Sequence, residues 1–309
     1  MKKSLFPFMI AFSAFFLFSL VSCKKSDNNS ADYTSEFKIQ TDDHSKYSSD
    51  ADDVLNDISW FVDSVPSLRG RGTQVNGCNT TFTVDSAART ATITFNGLNC
   101  SGTRSRTGSV LISLTNKWKQ AGTKLTLTFQ NLKITRLSDN KSLTLNGTEI
   151  ITNTSGGTLA GVYLTGTTVI HDIVSGPAGL KLTFDDGTER NWQVSKRRVF
   201  SKNSGVILLT TTGTYSDGTN NDIAEWGNNR QGKPFTARIA TPLVFRQDCD
   251  FRLTSGKIIF TKLIVPITVT FGLDASGNPA SCPGTGSSYY FKAEWTGIGG
   301  TAKSYIGAY

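Results

Sequence analysis

The chain has 309 residues, 38% of them hydrophobic and 18% charged, with a formal net charge of +8. That length can bury one large core or two smaller ones, and the apolar share excludes a disordered chain. Only two histidines are present, so histidine-based catalysis and a histidine-rich metal centre are poor readings from the outset.

The first element is a leader. Lys2 and Lys3 precede a run from Leu5 to Leu20 with almost nothing polar, and Leu20-Val21-Ser22-Cys23 closes it. A basic start, an apolar middle and small residues before a cut describe a secretory signal. A cut just before a cysteine is the lipoprotein pattern, so residues 1–22 are expected to leave and Cys23 to become the acylated first residue, carrying palmitate-type chains. An uncleaved anchor helix competes with this reading. Lys2 to Cys23 is barely long enough for it, since a span needs about 20 apolar residues.

Charge then divides the remaining chain. Residues 24–63 hold ten acids against four bases, net −6, while residues 64–309 hold 26 bases against 14 acids, net +12. Residues 23–45 are polar and read as a flexible tether. Residues 46–66 read as one amphipathic helix. Ser48 or Ser49 can cap it, Asp50, Asp52 and Asp53 suit its first turn, and Pro66 stops it. Val54, Leu55, Ile58, Phe61 and Val62 make one apolar stripe, expected to pack on the body that follows. A membrane-surface role fits less well, because the polar face is acidic.

From about Asn76 the period becomes two. Ala91, Ile93 and Phe95 alternate with threonines, as do Val265, Ile267, Val269 and Phe271. Tyr289, Phe291, Ala293 and Trp295 alternate with Tyr290, Lys292 and Glu294. The spacing predicts roughly a dozen half-buried antiparallel strands. Turn pairs punctuate them: Asn96-Gly97, Ala121-Gly122, Asn146-Gly147, Gly156-Gly157, Asp186-Gly187, Asp217-Gly218 and Ser255-Gly256. A phase slip between Phe129 and Leu132 predicts a bulge at Gln130–Asn131. The fold class is therefore all-β, a sandwich or an extended meander, with one short N-terminal helix. Thr92 to Cys100 and Thr268 to Cys282 repeat faintly, which points to two related β modules, 67–175 and 176–309.

Without Cys23, the cysteines are Cys78, Cys100, Cys249 and Cys282. An even set in an exported chain reads as two disulfides. Three pairings exist; proximity favours Cys78–Cys100 and Cys249–Cys282. The chain has no CxxC pair, which leaves a zinc site unsupported, and no metal or other cofactor is expected.

Chemistry is sparse. His44 falls in the tether and His171 on a strand beside Asp172, read as a solvated or capped histidine. No Gly-x-Ser-x-Gly elbow and no phosphate loop occur, so no catalytic residue is assigned. Asp185, Asp186 and Glu189 cluster at a hairpin tip, Asp217 to Asp222 is a turn, and Asp248 and Asp250 face solvent. Basic groups are the better surface clue. Arg104 and Arg106 share a strand face, and Lys196 and Arg198 share the face of Trp192. These five form a candidate anionic-ligand surface, against which stands ordinary edge protection by charge. Asp63-Ser64-Val65 and Asp85-Ser86-Ala87 fit a weak Asp-Ser-apolar acceptor pattern for O-glycosylation.

The order of elements carries a resemblance. It runs from Cys23 through Asp52-Asp53, Gly77-Cys78, Thr92 to Cys100, Thr103 to Val110, Leu127 to Ile134 and Leu145 to Asn153. It continues through Leu182 to Trp192, Gly227 to Cys249 and Ser255 to Cys282. This resembles the uncharacterised β-rich lipoproteins of Bacteroidota, over nearly the whole mature chain. The departure is a longer loop, Phe271 to Cys282, where those proteins have a compact turn. The resemblance implies compartment, fold class and cysteine pairing, and no activity. The expectation is a non-catalytic envelope protein held to the outer membrane by its lipid. It would bind an envelope glycan or protein or serve structurally, with no nucleic-acid partner. The alternative is a carboxylate-dependent enzyme acting on glycan or peptide.

Overall fold

Threonine-rich alternation builds one antiparallel sheet. The computed structural model describes residues 37–41, 43, 44, 50, 51, 54, 55, 58, 61 and 62. It also describes 78–309, except 250, 262–264, 281, 283–288, 298 and 299. The strands are β1 (Thr80–Asp85), β2 (Thr90–Leu98), β3 (Arg104–Leu114), β4 (Thr123–Arg136), β5 (Ser142–Asn153), β6 (Val169–Phe184) and β7 (Glu189–Asn203). They continue as β8 (Val206–Gly213), β9 (Ile223–Asn228), β10 (Pro234–Arg246), β11 (Arg252–Thr261), β12 (Ile267–Leu273), β13 (Tyr290–Thr296) and β14 (Ala302–Ala308). Neighbours in sequence are neighbours in the sheet throughout, except that β8 pairs with β10 while β9 pairs with both β7 and β10. β8 and β9 thus share one slot between β7 and β10. The fold is all-β, and of the two expected arrangements it is the meander.

The alternation assigns the faces as expected. Ala91, Ile93 and Phe95, then Ile267, Val269 and Phe271, then Tyr289, Phe291, Ala293 and Trp295 are all buried. One apolar cluster joins inward residues from β1 to β13. The described residues between 37 and 62 are all helical, and Phe37, Val54, Leu55, Ile58, Phe61 and Val62 belong to that same cluster. Phe61 stacks on Phe82 of β1 at 4.3 Å, and Phe37 meets Trp295 of β13 edge-on at 5.4 Å. The helical segment therefore touches the sheet near both of its ends, so its stripe fills the concave face of the sheet. Burying each such side chain contributes about 1.5–3 kcal/mol.

Several expectations change here. Residues 37–41, 43 and 44 are helical, and Phe37, Gln40, Thr41, Asp43 and His44 are buried, so this part of the 23–45 stretch is not a free tether. Its few apolar residues understated it, because Asp43 and His44 are buried against Arg230 and Glu225. The division at 175/176 falls inside β6, which pairs with β5 and β7 on both sides of it, and residues 33–309 group as one unit. The Gly176–Gly179 signal is a register shift between Val174 and Leu180. Three of the seven turn pairs also lie inside strands: Gly97 in β2, Gly147 in β5 and Gly256 in β11. At Gly147, φ is +119° and an added Cβ would lie 2.4 Å from the Gly179 carbonyl oxygen. Glycine there lets two bulged strands approach, rather than turning the chain. The bulge expected at Gln130–Asn131 is present, with Asn131 at φ 48°.

Disulfides join Cys78 to Cys100 and Cys249 to Cys282, with Cα–Cα distances of 5.0 and 5.2 Å. A short helix, Leu159–Thr165, connects β5 to β6; Thr158 caps its start and Gly166, at φ 72°, ends it. Among the described residues, no helix is long and apolar enough to cross a membrane. The leader 1–22, Cys23, the capping serines, Asp52, Asp53, Asp63-Ser64-Val65, Pro66, Gly77 and Asp250 lie outside the described residues.

Candidate functional site

The polar groups of the interior gather where the acidic helical segment meets the basic strands. Asp50 is fully buried and accepts from Arg104 Nε at 2.7 Å and Arg136 Nη1 at 2.8 Å. Asp43 accepts from Arg230 Nε at 2.7 Å and Nη2 at 2.6 Å, while the Arg230 guanidinium lies 3.4 Å from the centre of the Phe184 ring. Bidentate pairs of this kind fix geometry as well as charge. Asp43 and Asp50 of the acidic stretch are thus neutralised by arginines of the basic stretch.

His44, Glu225 and Lys196 form the third contact. Glu225 on β9 lies opposite Val194 of β7, one pleat from Lys196. Its carboxylate faces Lys196 Nζ on one oxygen and His44 Nδ1, 3.1 Å away, on the other. The His44 contact has the distance of an ion pair without the alignment of a hydrogen bond. Burial alone would push the Glu225 carboxyl up, but Lys196 and His44 outweigh it and hold it at about 2. The His44 ring stacks on Trp192 at 5.8 Å and meets Phe260 edge-on at 5.1 Å. Arg190 lies 4.0 Å from the Trp192 ring centre and 4.1 Å from that of Phe235.

The five residues of the expected anionic-ligand surface do share the concave face, but they do not make an outer surface. Trp192 and Arg106 are 1% exposed. Arg106 lies over the Phe95 ring at 4.8 Å, Arg104 is engaged by Asp50, and Lys196 by Glu225. The physical reason is that period two does not say which face is inside. The strip Trp192, Lys196, Arg198 points inward, and the anion that Lys196 meets, Glu225, comes from the chain itself. Outward, Arg197 pairs with Asp172 at 2.7 and 2.9 Å.

His171 is buried rather than solvated. It lies between Trp118, 5.0 Å away, and Phe200, 5.2 Å away. Burial and the Arg198 charge lower its pKa to about 4, with Asp172 opposing, so it is neutral at pH 7. It belongs to a cross-strand row in which Asn153, His171, Arg198 and Thr211 stand directly opposite one another on β5, β6, β7 and β8.

The remaining acids are committed locally. Asp185 pairs with Lys141 at 3.1 Å and Glu189 with Lys181 at 2.8 Å. Asp186 accepts from the backbone and hydroxyl of Thr188, which lower its pKa. Asp217 closes its own turn onto Thr219 and Asn220. Asp85 accepts from the backbone N–H groups of Ala87 and Ala88, so its Asp-Ser-Ala stretch is the β1–β2 turn. Asp248 lies near Cys249 and Cys282, but both sulfurs are in a disulfide, so that trio is not a metal centre.

Sequence reasoning did not find Asp43, Asp50 as an ion-pair partner, Arg190, Glu225 or Arg230. The charge division was the available signal, because an acidic stripe with an apolar flank needs a basic cradle. Comparison with protein-family models, with curated proteins and with solved structures gives no match. The molecule is thus described by its own architecture: an all-β meander whose basic concave face is filled by its own acidic helical segment.

Proposed function

We propose that the protein is a non-catalytic lipoprotein, anchored to an outer membrane through acyl chains on Cys23, with a binding or structural role in the envelope. One observation carries this: Leu20-Val21-Ser22-Cys23 ends an apolar run behind Lys2-Lys3. The two disulfides support it, because such bonds persist in oxidising compartments outside the cytosol. One acyl chain anchors only marginally and stable anchoring takes more. The alternative, a carboxylate-dependent enzyme acting on glycan or peptide, gains little from acids already engaged by Arg104, Arg136, Arg230, Lys196, Lys141 and Lys181.

The test is the mass of the N-terminal peptide, together with phase partitioning of the wild type and Cys23→Ser in a clouding detergent. An acylated peptide starting at Cys23, and a variant that moves to the aqueous phase, are expected. An unmodified peptide retaining Met1 overturns the reading. Protease shaving of intact cells then assigns the membrane face.

A further inference from the structure

The outward face of the sheet carries an aromatic pair in reach of solvent. Tyr215 and Trp226 stack at 4.2 Å with 19° between their ring planes, and Tyr215 is 40% exposed. Trp226 points away from the concave side. It follows the inward Glu225 on β9 and stands opposite Gln193, which lies between the buried Trp192 and Val194. A bulge adds to this patch. The β9–β10 register skips a residue between Glu225 and Ile223, so Ile223 turns to the Trp226 side while Ala224 stays in the concave cluster. Tyr215 is tied to Ile223 by two backbone hydrogen bonds, of 3.1 and 3.0 Å. Backbone pairing and stacking together hold the Tyr215 ring in place, which leaves little rotamer freedom to lose on binding.

An unengaged cation lies in the same patch. Arg238 of β10 stands directly opposite Ile223 and Ile259, and its neighbours Ala237 and Ile239 belong to the concave cluster, so Arg238 faces outward. It is partly exposed, and among the described residues no hydrogen bond, ion pair or ring contact engages it. Arg197, on the same face of the sheet, has its charge met by Asp172. Asp222, the acid beside Ile223 in the chain, makes no ion pair with Arg238. Arg238 stands one strand across and two residues along from Trp226, about 8 Å away. A sugar ring on the aromatic pair, with a carboxylate about 3 Å from the guanidinium, spans that gap. An apolar plane suits the C–H face of a pyranose, and an arginine fork suits a carboxylate. A site on an outward sheet face also lets a polymer run across it.

We propose that Tyr215, Trp226 and Arg238 bind an acidic glycan, with one uronic-acid unit laid on the aromatic pair and its carboxylate against Arg238. This names a ligand class for the binding role proposed above and rests on that role. The acyl anchor is read from the mass at Cys23, so either result can fail while the other stands.

The chain has five tryptophans, so nitrogen-edited NMR of the folded, oxidised protein resolves the indole N–H signals, and Trp226→Phe assigns the one at the site. The probe is a six-unit oligogalacturonate at near-physiological salt, with maltohexaose as the uncharged control. Saturable shifts at the Trp226 indole are expected with the oligouronate, at a Kd of about 1 mM or tighter, and not with maltohexaose. Arg238→Gln and Tyr215→Ala should each weaken binding about tenfold, since each removes one of the two recognition elements. Tyr215→Phe, which keeps the ring, should bind as the wild type does. Lys124→Gln removes an exposed cation on β4, far along the sheet, and should change nothing if the site is local. The altered side chains lie on the surface, and an unchanged thermal melt shows that each variant is folded. No saturable shift up to about 10 mM overturns the proposal. Equal binding of maltohexaose, full binding by folded Tyr215→Ala or Arg238→Gln, or an equal loss in Lys124→Gln also overturns it.

Discussion

Acidification should destabilise this protein through His171 before it touches the carboxylate pairs. In the folded state the His171 pKa is about 4 against an ordinary 6.5. Between those values the unfolded chain holds more protons, so stability falls as pH drops through 6.5 and the loss is complete below 4. The full difference of about 2.5 units corresponds to about 3 kcal/mol, of which about 2 kcal/mol is already lost at pH 5 relative to pH 7.5. Glu225 works in a lower window. Its folded pKa is about 2 against 4.5, so its contribution is present above 4.5 and fades only below that. Urea unfolding at pH 7.5 and pH 5.0 isolates the histidine. Wild type should lose about 2 kcal/mol more than His171→Gln over this interval. Parallel losses in the two proteins would refute the assignment of a buried, neutral imidazole.

Three further outcomes are expected. Asp50→Asn removes the shared anion of Arg104 and Arg136 and should cost about 3–5 kcal/mol, whereas Asp139→Asn, on an exposed partner of Arg136, should cost under about 1 kcal/mol; equal effects in urea unfolding would contradict the buried latch. Gly147→Ala should be costly, since its Cβ would strike the Gly179 carbonyl, while Gly187→Ala, in open space at the β6–β7 turn, should cost about 1 kcal/mol for backbone strain alone; thermal melts of the pair report the contrast. Replacing Cys78 and Cys100 together by serine opens a loop of 22 residues and should cost about 3 kcal/mol, with non-reducing peptide mapping of the variant still recovering Cys249–Cys282.

Strand identity was legible because period two survives burial on one face: Phe291, Ala293 and Trp295 turned inward as their spacing required. The stripe Val54, Leu55, Ile58, Phe61 and Val62 was legible for the same reason at helical period. What failed was everything that depends on which strands curve over which residues. Glycines at 147 and 256 look like turns in a linear reading, yet they mark close approaches between paired strands. Trp192 and Lys196 look like part of a ligand-facing strip until the sheet wraps them around His44 and Glu225. Asp43 and His44 look like tether because a string of letters does not reveal that Arg230 and Glu225 await them. Local chemistry is written locally; the pairing of distant charges is written in the topology.

The order of synthesis gives the concave packing a further meaning. The helical segment is made before every strand on which it rests: Asp50 on Arg104 and Arg136, His44 on Phe260, and Phe37 on Trp295 of β13. Each hairpin can zip as it emerges, since its neighbours in the meander are its neighbours in time. The leading segment cannot seat until the closing strands arrive. A segment made before the sheet is seated only once β13 is in place.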